Sequence, residues 1–188
     1  MQQTTAFVPL RLADKPLLMR AVAVALGTLF LAASSYVEVP MLPVPMTMQT
    51  FAITLVGALY GWRLGAATVV AWLVEGALGL PVLAGGAGGL AHFAGPTAGY
   101  LFAFPVAAAL CGWLAERGWT APRYLSAFGS MAAGNLLILT VGTAWLTIQF
   151  GLTNALEWGF TPFIIGGLLK SALAVACIEA LRRGKAAL

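Results

Sequence analysis

Six apolar stretches, each near the length needed to cross a bilayer and separated by short punctuated joints, constrain this chain more than any other feature. They fall at about 17–37, 47–60, 64–78, 96–115, 124–148 and 162–181. A membrane-spanning helix needs about 20 mostly apolar residues. Spans two and three are shorter than that, and a single kinked hairpin is the other reading of them. Two short crossings are preferred, because the "GWRLG" joint carries Arg63, a side chain suited to the membrane interface. Only 9% of the 188 residues are charged and 61% are hydrophobic, against about 25% charged in a soluble domain. Such a chain cannot clothe a water-facing surface. The expected fold class is an all-α integral membrane protein, a six-transmembrane-helix bundle in which residues 1–188 form a single membrane domain among membrane lipids. The first apolar run is too long for the core of a secretory signal and no clear cleavage site follows it.

The few charges test this layout. With six crossings and an inside N-terminus, the cytoplasmic segments hold Arg11, Lys15, Arg20, Arg63, Arg117, Arg123, Arg182, Arg183 and Lys185, nine of the ten basic residues. The three outer loops hold none. That asymmetry is the positive-inside pattern, and it places both termini in the cytoplasm, with the inner membrane of a bacterium as the expected location. It also accounts for the net charge of +4 without nucleic acid, since the basic residues form no stripe interleaved with aromatics. Cys111 and Cys177 each sit inside an apolar run with no metal-ligand spacing, and read as small buried residues.

One outer loop is unusual. Residues 79–100 read "GLPVLAGGAGGLAHFAGPTAGY", with seven glycines, two prolines and no Lys, Arg or acid. It is too apolar for a solvated loop and too rich in glycine for a stable helix. Irregular backbone at membrane depth is tolerated only where protein buries it or where it lines a cavity. The loop is therefore either a compact packing element or the wall of a pocket open to the outside. It has no "GK[ST]", which argues against a phosphate cradle.

Lys170 is the one basic residue outside the topology pattern, about nine residues or roughly 14 Å into span six. A Lys at bilayer depth costs about 2.5–3.5 kcal/mol on insertion scales, so it faces the protein interior or a wet cavity. It is either paired internally, with Glu75 of span three the obvious partner, or is the counter-charge for an anionic ligand. Glu179 is spaced to meet Arg182 and Arg183 at i+3 and i+4. His92 stands alone and reads as a hydrogen-bonding loop residue rather than a base or ligand. No metal cluster, "GxSxG", "HExxH" or close acid pair is present, which favours binding or transport over catalysis. In span one, Ala21, Ala25, Thr28 and Ala32 share a face of small residues. That face allows close helix approach, either within the bundle or to another subunit.

Three segments carry a family resemblance: "VPMTMQTFAITLVGALYGWRLGA", "EGALGLPVLAGGAGGLAHFAGPTAGYLFAF" and "PFIIGGLLKSALA". In order and content they resemble the hallmarks of the BioY family, the biotin-specific substrate-binding (S) components of energy-coupling factor transporters, from about Ala21 to Arg183. The resemblance implies a six-helix bundle with a vitamin pocket near the outer face, closed by the loop between spans one and two and by the glycine-rich loop, with Gly86, Gly88 and Gly89 as pocket wall. Biotin is the implied ligand and no cofactor is implied. Tyr100 and Trp72 are placed to pack on its rings, Gln49 to offer donor and acceptor, and Lys170 to meet its carboxylate. Implied partners are a transmembrane coupling subunit and two cytoplasmic ATPase subunits, with the small-residue face of span one as the docking surface.

One position departs from the family. Its last motif usually carries an Asp three residues before the Lys, as in "GDLLK"; here that position is Gly167. Either Glu75 substitutes for the acid or this protein binds differently. Two other function classes are set against the transporter reading: a small membrane enzyme acting on a lipid-like carboxylate, which would need a polar catalytic pair inside the bundle, and a scaffold subunit without ligand.

The charge pattern makes a topological prediction. In a background without Cys111 and Cys177, cysteines placed at Ala87 and Asn154 react with an impermeant reagent added outside intact cells, and one placed at Arg117 does not. Labelling at position 117 would overturn the orientation.

Overall fold

The computed structural model describes residues 10 and 12–186; Arg11, one of the charges used above, lies outside them. The described chain is helical apart from one small hairpin. Helix α1 covers Leu17–Tyr36, α2 Gln49–Tyr60, α3 Trp62–Ala77, α4 Ala98–Glu116, α5 Tyr124–Phe150, α6 Leu152–Gly159 and α7 Phe163–Ala186. Strands β1 (Glu38–Val39) and β2 (Met46–Thr47) pair antiparallel between α1 and α2, with Glu38 opposite Thr47 and Val39 opposite Met46. The short helix α6 was not expected. It fills the joint between the last two apolar stretches and folds back on α5, with Ala155 fully buried.

Among the described residues, four helices are long and apolar enough to cross a membrane: Leu17–Tyr36, Ala98–Glu116, Tyr124–Phe150 and Phe163–Gly184. Their outer faces carry large apolar side chains into the surroundings, among them Leu18, Leu26 and Leu29 of α1 and Ile165 and Leu169 of α7. Exposing such a surface to water is unfavourable, whereas lipid tails cover it without penalty. This is a multi-pass membrane protein.

Helices α2 and α3, with 12 and 16 residues, span only about 18 and 24 Å at 1.5 Å per residue. They are joined by a single residue, Gly61, whose φ of +82° suits glycine. The amide of Trp62, at the start of α3, donates to Glu116 Oε1 at 3.1 Å. An acid at the end of α4 therefore satisfies one of the amides that a helix start leaves open. The reversal brings the two helices together through glycine. A Cβ on Gly65 would lie 2.8 Å from Gly57 Cα, and one on Gly57 would fall on the Ala108 carbonyl of α4. On α4, a Cβ at Gly112 would sit 2.5 Å from the Trp62 amide nitrogen. Small residues let backbones meet where lipid supplies no hydrophobic drive between helices.

The core is a column between these helices: Leu31, Ile53, Val69, Trp72, Ala107, Met131 and Ile138 are all excluded from solvent. Helix α4 runs through its centre and packs on α2, α3 and α5, while α7 is held between α2 and α5. At the C-terminal end of α7, Glu179 takes hydrogen bonds from Arg182 at 2.7 and 2.8 Å and from Arg183 at 2.6 Å.

A Gly57→Leu change tests the helix crossing. Overpacking a close contact costs about 1–3 kcal/mol, and here the obstacle is backbone. The variant should unfold at a lower temperature than the wild type in the same detergent, while the same change at the lipid-facing Ala33 should not.

Candidate ligand-binding site

Two connections meet at the open end of the short helices: the β1–β2 hairpin and the segment 78–97. The second is tied down by its own backbone and by three elements around it. Gly89 N–H donates to Gly76 O at 2.7 Å and Leu83 N–H to Ala87 O at 2.9 Å. Three further carbonyls are taken by aromatic donors: Pro81 O by the Tyr36 hydroxyl of α1 at 2.6 Å, Val82 O by the Trp72 indole of α3 at 3.0 Å, and Gly95 O by the Trp145 indole of α5 at 2.9 Å. An unpaired carbonyl away from water costs about as much as a lost hydrogen bond. These donors are why so irregular a segment keeps one shape.

Beneath the two connections lies a cavity of about 340 Å³, in the size range of small-molecule sites. The hairpin contributes Pro43, Val44 and Thr47, and α2 contributes Gln49 and Thr50. Leu83, Ala84, Ala87 and His92 come from the glycine-rich segment, and Tyr100, Leu101 and Phe104 from α4. Asn135, Ile138 and Leu139 of α5 and Phe163, Gly167 and Lys170 of α7 complete it. The wall is largely apolar. Lys170 is its one Lys or Arg, and no lining residue is acidic.

The sequence-predicted residues divide accordingly. Lys170 faces the cavity, and its ammonium donates to the Thr47 carbonyl at 2.6 Å. Among the described residues it pairs with no carboxylate, and Glu75, half-buried on α3, does not line the cavity. The alternative of an internal Lys170–Glu75 ion pair is thus not what the side chains adopt. Gln49 lines the cavity with its amide engaged: Oε1 accepts from Thr47 Oγ1 at 3.0 Å, and Nε2 donates to Ser35 Oγ at 3.0 Å. Tyr100 lines it too, its hydroxyl anchored to Gly159 O at 2.7 Å. The ring lies so close to α5 that a Cβ on Gly142 would fall on it.

Trp72 is fully buried, 6.0 Å from the Phe104 ring, and does not reach the cavity; it braces the glycine-rich segment from behind. Gly86, Gly88 and Gly89 are likewise not among the lining residues. Gly86 (φ +76°) and Gly89 (φ +103°) occupy left-handed backbone that other residues rarely adopt. A Cβ on Gly88 would sit 2.9 Å from Gly79 backbone atoms and closer still to Leu80 O. The glycines shape the segment, and the alanines and Leu83 between them face the cavity. His92 lines the cavity and, contrary to its reading as a hydrogen-bonding loop residue, its side chain bonds no described residue. The small-residue face of α1 is split: Ala21 and Ala25 are exposed, Ala32 is half-buried, and Thr28 is buried with its hydroxyl on Ala25 O at 3.1 Å.

Asn135, Phe163 and the aromatic donors Tyr36 and Trp145 were missed. The one usable signal was Asn135, an amide set in the apolar middle of the fifth stretch.

The BioY family model matches residues 3–187. The chain belongs to the BioY family. The BioY relatives include the "Probable biotin transporter BioY" of Pyrococcus horikoshii, 38% identical over 87% of this chain and 98% of that protein. The "Biotin transporter BioY" of Thermotoga maritima is 35% identical over 84% of this chain and 91% of its own length. A solved structure, the "S-component for biotin from an ECF-type ABC transporter", superposes with a TM-score of 0.80 at 28% identity, covering 88% of this chain and 92% of that one. The BioY fold and the BioY hallmark segments therefore coincide here with the cavity: "VPMTMQT" runs along its hairpin edge, and "IIGGLLK" places Gly167 and Lys170 on its α7 wall.

The close approach of Gly88 to its neighbours yields a prediction. In Gly88→Val the 79–97 segment must detach. Hydrogen exchange at the Gly89 amide should accelerate by at least about tenfold, equivalent to about 1.4 kcal/mol, with α4 and α5 protected as before. Unchanged exchange across 79–97 would refute the packing account.

Proposed function

We propose that this protein is the biotin-binding membrane subunit of an energy-coupling factor uptake transporter. It captures the vitamin from outside and delivers it inward with a transmembrane coupling subunit and two cytoplasmic ATPase subunits. In this reading all six helices α1–α5 and α7 cross the membrane, both termini lie in the cytoplasm, and the membrane is the inner membrane of a bacterium. The positive-inside charges support the orientation, and the short α2 and α3 leave the depth at the outer face that the two connections fill. The exposed Ala21 and Ala25 of α1 are the docking surface for the coupling subunit. The reading is of a binding protein rather than an enzyme, and the relatives named above are transporters.

The observation that carries the proposal is an ammonium group inside a small, mostly apolar cavity with no acid on its walls. Biotin matches that arrangement: a compact apolar ring system with a neutral ureido edge, and one carboxylate on a flexible chain. Lys170 is the counter-charge for the carboxylate. The Tyr100 and Phe104 rings and Ile138 and Leu139 cover the apolar body, and Gln49 adds a polar edge. The glycine-rich segment supplies the wall through Leu83, Ala84 and Ala87, with Trp72, Gly86, Gly88 and Gly89 holding its shape and Gly167 leaving space on the α7 side. Glu75 does not line the cavity and has no ligand contact in this reading.

Isothermal titration of the purified protein tests the assignment. Lys170→Ala should weaken biotin by about 2–3 kcal/mol, the range of a charge-assisted hydrogen bond, which is roughly 30–150-fold. Biotin methyl ester should lose much less. Equal losses for acid and ester would remove Lys170 as the reader of the carboxylate, and a wild-type protein that binds neither would remove the biotin assignment itself.

A further inference from the structure

Asn135 presents the cavity with a hydrogen-bond acceptor that no described residue uses. It is buried near the middle of α5 and lines the cavity wall. Its amide is fixed in orientation. Nδ2 donates to Met131 O at 3.1 Å and to Ser171 Oγ at 3.1 Å. The Ser171 hydroxyl spends its own proton on Gly167 O at 2.7 Å, so toward Asn135 it can only accept. With both partners acceptors, the nitrogen must face them and Oδ1 must face the other way. Oδ1 has no hydrogen-bond partner among the described residues and is not sealed from the cavity.

The reason it stays open lies across the helix contact, at position 167. A Cβ built on Gly167 would come to 3.8 Å from Asn135 Cβ and 4.0 Å from its Cγ and Oδ1, ordinary van der Waals separations. Glycine there sets no side chain before the amide. Lys170 does not answer the acceptor either. Helix α7 lies between α5 and α2, and the Lys170 ammonium reaches toward the α2 side, to Thr47 O, while Asn135 stands on the α5 side. The cavity thus offers a cation on one flank and a neutral acceptor on the other.

We infer that Asn135 is a ligand-contacting residue whose Oδ1 accepts a hydrogen bond from a neutral N–H of the ligand, filling with an α5 amide the place that an acid at position 167 would occupy. This rests on the biotin reading, in which the only neutral N–H donors are those of the ureido ring. An amide oxygen repels a carboxylate and accepts from a urea N–H. It therefore sets the ligand's direction: ureido edge toward α5, carboxylate toward the Lys170 ammonium.

The test compares biotin with an analogue methylated on its ureido nitrogens, titrated into wild type and Asn135→Leu. Asn135→Leu should bind biotin more than fivefold more weakly than wild type, while its affinity for the methylated analogue changes less than twofold. Adding Gly167→Asp to Asn135→Leu should recover at least threefold of the lost affinity. Equal losses for both ligands in Asn135→Leu, or no recovery on adding Gly167→Asp, would overturn the inference. Failure of the wild type to bind biotin would instead strike the underlying assignment.

Discussion

A stretch of chain that is neither helix nor sheet keeps one shape only where its carbonyls and amides find fixed partners, and that requirement governs this molecule. The segment 78–97 meets it with donors from three helices: the Tyr36 hydroxyl, the Trp72 indole and the Trp145 indole. Each aromatic places a large apolar body among its neighbours and one polar atom against the segment, a division of labour suited to a greasy environment. With the segment fixed, the space beneath it is fixed too, and the hairpin 38–47 closes the adjoining side. The cavity is thus a consequence of two short helices whose missing turns are replaced by irregular chain that the surrounding helices can satisfy.

The electrostatics of the cavity follow from what is absent on its walls. An ammonium group in an apolar bundle is costly unless something answers it. Here a single backbone carbonyl does so, that of Thr47. A carbonyl dipole compensates only part of a full charge, and the remaining capacity is directed into the cavity. Thr47 is itself held by the hairpin pairing with Glu38 and by the Gln49 side chain, which passes to Ser35. The ammonium is therefore connected through hydrogen bonds to α1 and α2, so the geometry of the charge depends on the hairpin and three helices at once.

Much of the helical layout was legible in the residues. Gly61 sits in the joint that the sequence marks between α2 and α3, and the long apolar runs have the length of membrane-crossing helices. The short α6 was hidden because an eight-residue amphipathic helix in a connection between two apolar stretches looks like loop. At the site, Lys170 stood out from the sequence because a lone cation in an apolar stretch demands an account. Gly86, Gly88 and Gly89 were legible as special, but their role was read one step too far: they shape the wall rather than form it. Trp72 was assigned to the ligand on its chemistry, yet its indole turns to Val82 O instead.

By itself the sequence determined that the chain belongs in a membrane, that it is helical, and that its segments carry the marks of the BioY family. These follow from composition, spacing and motif, which act locally and leave an imprint on every residue. Tertiary structure alone decided which side chains meet. That Lys170 reaches Thr47, 123 positions away, that Asn135 turns an unused oxygen toward the space left by Gly167, and that Glu75 stands apart from both are set by how α2, α5 and α7 cross. Helix crossings depend on glycine contacts distributed over several helices, and no local pattern along the chain encodes them.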